Sequence, residues 1–192
     1  MIKTNLPIYL ASKSPRRKKL LEQINLTFKS LPVETPEIFR KNERPVDAVR
    51  RIALEKLDKA KDYIKHGIII TADTIVVVQG KIIGKPVNEL DAIRMLKTLS
   101  GKTHIVYTGF SVYNSITKKT LTDYEKTFVT FRRLNVDEIK EYVKTGSPLD
   151  KAGAYGIQDD YGAVFIKKIN GCYYNVVGLP LTKVFVTLLR II

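Results

Sequence analysis

Apolar residues recur along this chain with two different periods, and together these periods predict a mixed α/β fold. A spacing of three to four residues relates Leu20, Leu21 and Ile24, whereas the unbroken apolar runs at residues 68–70 and 76–78 are typical of buried strands. The helical pattern predicts helices over residues 16–24, 45–64, 89–99, 136–144 and 181–189. The strand pattern predicts strands over residues 8–11, 28–31, 68–71, 75–78, 81–83, 103–113, 120–131, 164–169 and 173–176.

Three dipeptides predict turns between these strands. Asn170-Gly171 lies between two strand patterns and strongly indicates a type I′ hairpin, while Gln79-Gly80 is a weaker indication of the same turn. Asn114-Ser115 is expected to turn a long antiparallel pair. We therefore expect a mixed, twisted sheet with flanking helices.

No linker, repeat or low-complexity segment divides the chain, which predicts one domain over residues 1–192, with two lobes around a cleft. A chain of 192 residues with 44% hydrophobic composition can bury a substantial core. No apolar run approaches the roughly 20 residues that span a bilayer, and residues 1–5 lack the apolar region of a signal peptide. The single cysteine, Cys172, fits a reducing compartment. We expect a cytoplasmic protein with no membrane partner.

The formal net charge of +14 indicates an anionic ligand, because such a field attracts nucleotides, nucleic acids and other anions. The basic residues are spread along the chain as pairs, such as Arg50-Arg51 and Arg132-Arg133, without a basic tail. The sequence contains no helix-turn-helix, zinc-finger or RNA-binding motif. Nucleic acid is therefore not the favoured partner, and a lysine-rich solvated surface is the simpler explanation of the charge.

Residues 10–17, Leu-Ala-Ser-Lys-Ser-Pro-Arg-Arg, carry the strongest indication of a binding site. They join a predicted strand to a predicted helix, with Ser14 placed as the N-cap and Pro15 as the first helical residue. A helix N-terminus presents unpaired N–H groups to an anion, and the guanidiniums of Arg16 and Arg17 fit phosphate. The alternative is a well-capped surface helix with two solvated arginines.

Further segments carry groups that suit a site. Asp73 stands where an apolar strand is expected to end, a place typical of a metal ligand or a base but also of a turn-capping residue. Lys85 lies in a Gly-Lys-Pro turn, and Glu37 precedes the helical Lys56. The two glycines within residues 149–158 let the backbone approach a flat ligand, or simply form a tight packed loop.

Several common catalytic arrangements are absent from the sequence. Neither His66 nor His104 has a partner at metal-ligand spacing, so a zinc site and a Ser-His-Asp triad are not predicted, and both histidines are interpreted as ordinary surface or hydrogen-bonded residues. Neither a P-loop nor a dinucleotide-binding glycine motif is present. The remaining groups are a carboxylate and several cations, which are typical of metal-assisted chemistry on phosphates.

The order of these motifs resembles that of the Maf-type (septum formation inhibitor) family of nucleoside triphosphate pyrophosphatases. The resemblance runs from about residue 8 to the end, and residues 150–158 resemble the subgroup that acts on dTTP and UTP. The matching pieces are residues 10–17, Ala72-Asp73-Thr74, Gly84-Lys85-Pro86, Leu99-Ser100-Gly101, residues 150–158 and Val177-Gly178-Leu179-Pro180-Leu181.

The resemblance implies an ITPase-like α/β fold, often as a homodimer. It implies hydrolysis of a nucleoside triphosphate between the α and β phosphates, giving the monophosphate and pyrophosphate, with a divalent cation such as Mg²⁺ or Mn²⁺. Asp73 matches the proton acceptor, and Glu37 with Asp73 the metal-binding pair. The matching substrate-binding residues are Ser12, Arg16, Arg17, Lys56 and Lys85, and the positions linked to base choice are Arg16, Thr74 and Gln158.

Gln158 fits this base preference, because its amide offers one donor and one acceptor to the O4 and N3–H edge of uracil or thymine. The chain departs from the family pattern directly afterwards, where Asp159-Asp160-Tyr161 replaces the usual glycine and adds one residue before Gly162. Two alternatives stay open. The first is a nucleic-acid-binding or cell-division regulatory protein, and the second is an ITPase-like pyrophosphatase selective for purines.

Overall fold

A computed structural model of the protein describes residues 2–158 and 161–192, and within them the fold is α/β, as the two periods predict. None of the helices in this part is long and apolar enough to cross a membrane. The strands described are β1 (Ile8–Leu10), β2 (Lys29–Ser30), β3 (Ile68–Val78), β4 (Lys81–Ile83), β5 (Thr103–Asn114), β6 (Thr120–Phe131) and β7 (Ile166–Asn170). The α-helices described are α1 (Pro15–Gln23), α2 (Pro45–Lys61), α3 (Glu89–Leu99), α4 (Val136–Lys144), α5 (Tyr173–Val177) and α6 (Leu181–Ile191).

The strands form one mixed sheet in the order β2-β1-β3-β5-β6-β7, with β4 paired to β3 beside this path. β1 runs parallel to β2 and β3, whereas the β3–β4 and β6–β7 pairs are antiparallel. β3 is one continuous strand, so the predicted break between residues 71 and 75 is wrong. The strand continues because the polar side chains of Asp73 and Thr74 find hydrogen-bond partners there and need no turn to reach water.

The predicted strand over residues 173–176 is also wrong, because these residues form helix α5, and Asn170-Gly171 is therefore not a hairpin. The Thr127 hydroxyl accepts a hydrogen bond from the Cys172 amide at 3.0 Å and fixes the chain direction there. The Asn175 amide, which is fully buried, donates to the carbonyl of Val106 at 3.0 Å. These contacts are distant in sequence, and they override the local turn preference.

Gln79-Gly80, the weaker of the two hairpin indications, forms the two-residue turn between β3 and β4. Both residues have positive φ angles, 50° and 75°, as a type I′ turn requires, and Val78 pairs with Lys81. The predicted turn after β5 is present as well, since the Asn114 amide donates to the carbonyl of Lys119 at 3.0 Å.

The chain packs as two compact units. Unit 1 comprises Met1–Thr74, Thr108–Glu125 and Gly178–Ile192, and unit 2 comprises Ile75–Tyr107 and Lys126–Val177. The single domain expected over residues 1–192 stays a prediction.

Unit 1 places α2 directly against the sheet. The apolar face of this helix is buried, with Ile52 and Leu57 fully enclosed. Gly109 of β5 permits this approach, because a Cβ atom at that position would overlap the backbone carbonyl of Val49. This close contact between α2 and the sheet also allows Lys56 of α2 to reach Asp73 of β3.

Unit 2 is built around packed aromatic rings. His104 of β5 is 1% exposed, and its Nε2 atom lies 2.7 Å from the hydroxyl of Tyr155. The His104 ring makes an edge contact with Phe131 at 5.0 Å between ring centroids. Burial lowers the pKa of His104 from 6.5 to about 4, because the charged imidazolium would lose its hydration. His104 is thus hydrogen-bonded through Nε2, as expected, but its buried Nδ1 atom has no partner among the described residues.

The buried histidine predicts a pH-dependent stability. The folded-state pKa of about 4 lies below the ordinary value of 6.5, so the unfolded chain binds a proton that the folded chain excludes between these values. We expect His104 to contribute a loss of about 3 kcal/mol in the free energy of unfolding as the pH decreases from 6.5 to 4. Urea denaturation at a series of pH values measures this change.

The contribution of His104 is separated from general acid denaturation by substitution. His104→Gln should flatten the pH dependence between pH 6.5 and 4, whereas His66→Gln, which changes an exposed side chain, should leave it unchanged. The same slope in the parent protein and in His104→Gln would contradict the assignment.

Candidate active site

The junction between β1 and α1 has the capping geometry that the sequence predicts. Ser14 is the N-cap, its side chain accepting a hydrogen bond from the Arg17 amide at 3.4 Å, and Pro15 begins the helix. The Ser12 hydroxyl accepts from the Ser14 amide at 3.2 Å. These hydrogen bonds fix the backbone at the N-terminus of α1, where the partial positive charge of the helix favours an anion. Arg16 is half-buried at the same helix end.

Arg17 is buried, which excludes the alternative of a solvated surface arginine at this position. Its Nε atom donates to the carbonyl of Gly178 at 2.7 Å, and one terminal nitrogen donates to the carbonyl of Ala72 at 2.8 Å and to the Ser12 hydroxyl at 3.2 Å. The other terminal nitrogen donates to the Thr74 hydroxyl at 3.0 Å. The described partners thus use four of the five guanidinium N–H groups. Arg17 ties the ends of distant segments together.

Two residues of this network were not predicted as site residues from the sequence. Thr108 of β5 is fully buried, and its hydroxyl lies 2.9 Å from that of Thr74. Gly178 has a φ angle of +122°, which favours glycine, and offers its carbonyl to Arg17. Gly178 lies in one of the motifs that carry the resemblance, so its position was a usable indication. Thr108 sits inside a predicted strand and carries no local signal.

Lys56 joins the two carboxylates of the candidate site. Its Nζ atom lies 2.6 Å from Oδ1 of Asp73 and 2.8 Å from Oε1 of Glu37. Asp73 and Lys56 are 3% and 7% exposed, whereas the Glu37 side chain is about one third exposed. The structure therefore brings these three predicted residues together, with α2 providing the ammonium and β3 the buried carboxylate.

Asp73 has the environment of a proton acceptor. Burial raises its pKa above the ordinary 3.8, and the charge of Glu37 adds to this effect, while Lys56 and Arg17 oppose it. Its Oδ2 atom is buried and accepts no hydrogen bond from any described residue. Burial lowers the pKa of Arg17, but the nearby Asp73 and Glu37 carboxylates favour its charged form. One oxygen of the Asp73 carboxylate is therefore unsatisfied, in an environment that holds two cations, Lys56 and Arg17, and a second carboxylate, Glu37.

The donor set fits a divalent cation that the protein holds only in part. Within residues 2–158 and 161–192, no group of three or more His, Cys, Asp or Glu side chains is placed to hold a metal ion. Mg²⁺ is commonly bound by one or two carboxylates, with water and substrate phosphates completing its octahedron. Glu37 and the unsatisfied Oδ2 of Asp73 match that smaller requirement.

Two predicted substrate residues lie in unit 2. Lys85 is exposed in the turn after β4, and the preceding Gly84 accepts a hydrogen bond from the Gly153 amide at 2.9 Å. Gln158 is half-buried, and its Oε1 atom is buried without a hydrogen bond from the described residues. The departure from the family pattern falls mainly on Asp159 and Asp160, which lie outside the described residues.

Comparisons with known proteins find a family and relatives that align along almost the whole chain. Residues 7–191 match the family model described as Maf-like protein. A dTTP/UTP pyrophosphatase from Syntrophomonas wolfei subsp. wolfei is 45% identical over 181 residues, covering 94% of this chain and 95% of that protein. Proteins with the same name from Carboxydothermus hydrogenoformans and Dictyoglomus turgidum are 46% and 48% identical, covering 94% and 92% of this chain and 96% and 91% of their own lengths. The chain belongs to the Maf-like protein family.

Proposed function

We propose that this protein is a nucleoside triphosphate pyrophosphatase that hydrolyses dTTP and UTP to the monophosphate and pyrophosphate. The observation that carries the proposal is the buried Asp73 carboxylate, with one unsatisfied oxygen, beside the Lys56 ammonium and near the Arg17 guanidinium. The relatives named dTTP/UTP pyrophosphatase, which align along almost the whole chain, support this assignment.

In this proposal Asp73 acts as a general base. The Asp73 carboxylate accepts a proton from a water molecule as the water oxygen bonds to the α-phosphorus. The bond between that phosphorus and the bridging oxygen to the β-phosphorus breaks, and pyrophosphate leaves with the electron pair. The raised pKa of Asp73 favours proton uptake, because a stronger conjugate base accepts a proton more readily near neutral pH.

Basic side chains counter the charge of the phosphates. A triphosphate carries about four negative charges at neutral pH, and further charge develops on the leaving pyrophosphate, so cations are needed to stabilise it. We assign this task to Arg16, Lys56, Lys85 and the remaining N–H group of Arg17. Ser12 supplies a hydroxyl at the N-terminus of α1, where the helix also favours an anion.

A divalent cation, Mg²⁺ or Mn²⁺, completes the proposed site. Glu37 and Asp73 would hold it. When bound, it would polarise phosphate oxygens and lower the pKa of a coordinated water. Lys56 pairs with one oxygen of each carboxylate and opposes the rise in the pKa of Asp73 that burial causes.

Gln158 is assigned to base recognition, together with Arg16 and Thr74. Its Oε1 atom, unsatisfied among the described residues, suits the N3–H donor of uracil or thymine, and its NH₂ group suits O4. A buried acceptor without a partner is costly unless a ligand supplies the donor. The free-energy cost of leaving Oε1 unpaired therefore supports a role of Gln158 in selecting the nucleobase.

Pyrophosphate release tests the proposal directly. The substrates are dTTP, UTP, CTP, dATP, GTP and ITP, each with Mg²⁺ or Mn²⁺ and with EDTA. Metal-dependent release that favours dTTP and UTP is the expected result. Preferential release from a purine would support the purine-selective alternative. No release from any nucleotide would favour the nucleic-acid-binding or regulatory alternative, whose binding should depend on salt and survive Asp73→Asn.

Gln158→Glu should reverse the preference among pyrimidines. Glutamate loses the donor for O4 of uracil, so kcat/KM for UTP should fall by about 10- to 100-fold. Its carboxylate accepts a hydrogen bond from the N4 amino group of cytosine, so CTP should gain relative to UTP. Steady-state kinetics on both nucleotides measure the change, and Gln23→Glu, at an exposed position, is the control. An unchanged ratio of UTP to CTP turnover would remove Gln158 from base recognition.

A further inference from the structure

Tyr155 and His104 form a buried contact at the start of the segment that carries Gln158. The Tyr155 hydroxyl and Nε2 of His104 are 2.7 Å apart. The Tyr155 ring also makes edge contacts with the rings of His104 and Phe131, at 5.3 and 4.8 Å between centroids. These contacts join the segment to the long strands β5 and β6, and strands hold a site more precisely than loops do.

The backbone just before Tyr155 is held in a demanding conformation. Gly153 and Ala154 both have left-handed φ angles, 73° and 61°, and Ala154 is fully buried. A non-glycine residue adopts this conformation at a cost that the surrounding packing must offset. A Cβ atom on Gly153 would lie only 3.0 Å from the Val76 side chain. The segment therefore has little freedom on the side that precedes Tyr155.

The side that follows Tyr155 is closed by a second backbone approach. A Cβ atom on Gly162 would lie 2.8 Å from the carbonyl oxygen of Gly156, so only glycine fits there without a shift. Tyr155 lies three residues before Gln158, so its contact with His104 anchors the backbone that leads directly to the Gln158 amide.

We propose that His104 and Tyr155 are positioning residues for base selectivity, because their hydrogen bond fixes the backbone three residues before Gln158, the side chain assigned to the pyrimidine. The inference rests on the proposed function, in which Gln158 reads the O4 and N3–H edge. In this proposal neither residue contacts the base, and both act through the backbone that joins Tyr155 to Gln158. Their loss should weaken recognition of uracil while leaving the phosphate chemistry of Asp73 and Lys56 intact.

Tyr155→Phe removes the hydroxyl and keeps the ring. We expect the ratio of kcat/KM for UTP to that for CTP to fall by about tenfold, the effect of losing one well-placed hydrogen bond. The change should arise from a higher KM for UTP, with kcat altered less than about twofold. Ser100→Ala, which removes the acceptor for the Leu134 amide elsewhere in unit 2, is the matched control and should keep the parent ratio.

Two substitutions of His104 provide a rescue test that a merely structural role would not pass. Glutamine can place its amide nitrogen near the position of Nε2 and keep the contact with Tyr155, whereas asparagine reaches only the position of Nδ1. His104→Gln should retain the UTP preference and His104→Asn should lose it. This pair also carries the test if Tyr155→Phe does not fold, which circular dichroism would show.

The outcomes separate the inference from the function on which it rests. If the parent protein does not prefer UTP to CTP, the assignment of Gln158 fails and the inference fails with it. If the parent does prefer UTP, the inference alone is overturned by an unchanged ratio in Tyr155→Phe, by an equal loss of turnover on every nucleotide, or by equal behaviour of His104→Gln and His104→Asn.

Discussion

Asp73→Asn should lower kcat for pyrophosphate release from UTP by about 10²- to 10⁴-fold, the range typical of a lost general base. The asparagine amide keeps the size of the carboxylate but cannot take a proton from water. KM should change less, because the side chains proposed to bind the phosphates are cationic and are unchanged in this variant. Steady-state pyrophosphate release measures both constants. Asp58→Asn changes an exposed aspartate of α2 and should retain parent activity.

The same substitution should preserve or increase stability. Burial raises the pKa of Asp73, so the folded protein binds its proton more tightly than the unfolded chain does. The ionised carboxylate therefore destabilises the fold above that pKa, and this cost disappears as the pH falls below the ordinary value of 3.8. The melting temperature of Asp73→Asn should equal or exceed that of the parent at pH 7, because the asparagine oxygen can still accept from Lys56 and the ammonium stays paired with Glu37. Near-parent activity, or loss of the fold, would contradict the role given to Asp73.

Lys56→Met should impair both activity and stability. Methionine keeps the unbranched apolar stem but removes the ammonium that contacts Asp73 and Glu37 at 2.6 and 2.8 Å. Loss of a preorganised cation should reduce kcat by about 10²- to 10³-fold. The pKa of Asp73 should rise further without its neighbouring positive charge, so the acidic limb of the pH–activity profile should move to higher pH.

The loss of stability in Lys56→Met should arise from the buried charge of Asp73. Leaving the buried Asp73 without its counter-ion should cost about 3 kcal/mol in the free energy of unfolding. Adding Asp73→Asn to Lys56→Met should recover much of that loss, because the uncompensated charge is then gone. Urea denaturation of the two single variants and the double variant measures the coupling. Lys59→Met, at an exposed position of the same helix, is the control, and strictly additive effects would argue against a buried ion pair.

The hydrogen bonds of Arg17 connect several of the residues that carry the family resemblance. A buried guanidinium that donates to the carbonyls of Ala72 and Gly178 fixes two backbone segments beside Asp73. Lysine could not replace it, because a single ammonium lacks the planar fork that reaches four partners at once. The binding role assigned to Arg17 stays a proposal, and its contacts support a role in holding the site as well.

Much of the fold was accessible from local pattern. The bounds of α3 and α4 agree with the predicted segments, and Ser14 caps α1, because capping and amphipathic periodicity involve residues within one or two turns. The Gln79-Gly80 turn could be predicted for the same reason. Motif order along the chain also identified the family, since the family match spans residues 7–191.

The tertiary structure alone decided the features that depend on partners distant in sequence. Helix α5 replaces a predicted strand because Asn175 bonds to Val106, and β3 passes uninterrupted through Asp73 because Lys56 meets it from α2. The sequence by itself determined which chemical groups the protein carries and most of its local elements. Burial, which removes solvent from Asp73, Arg17 and His104 and so shifts their pKa values, follows only from packing, because it depends on every segment that surrounds a side chain.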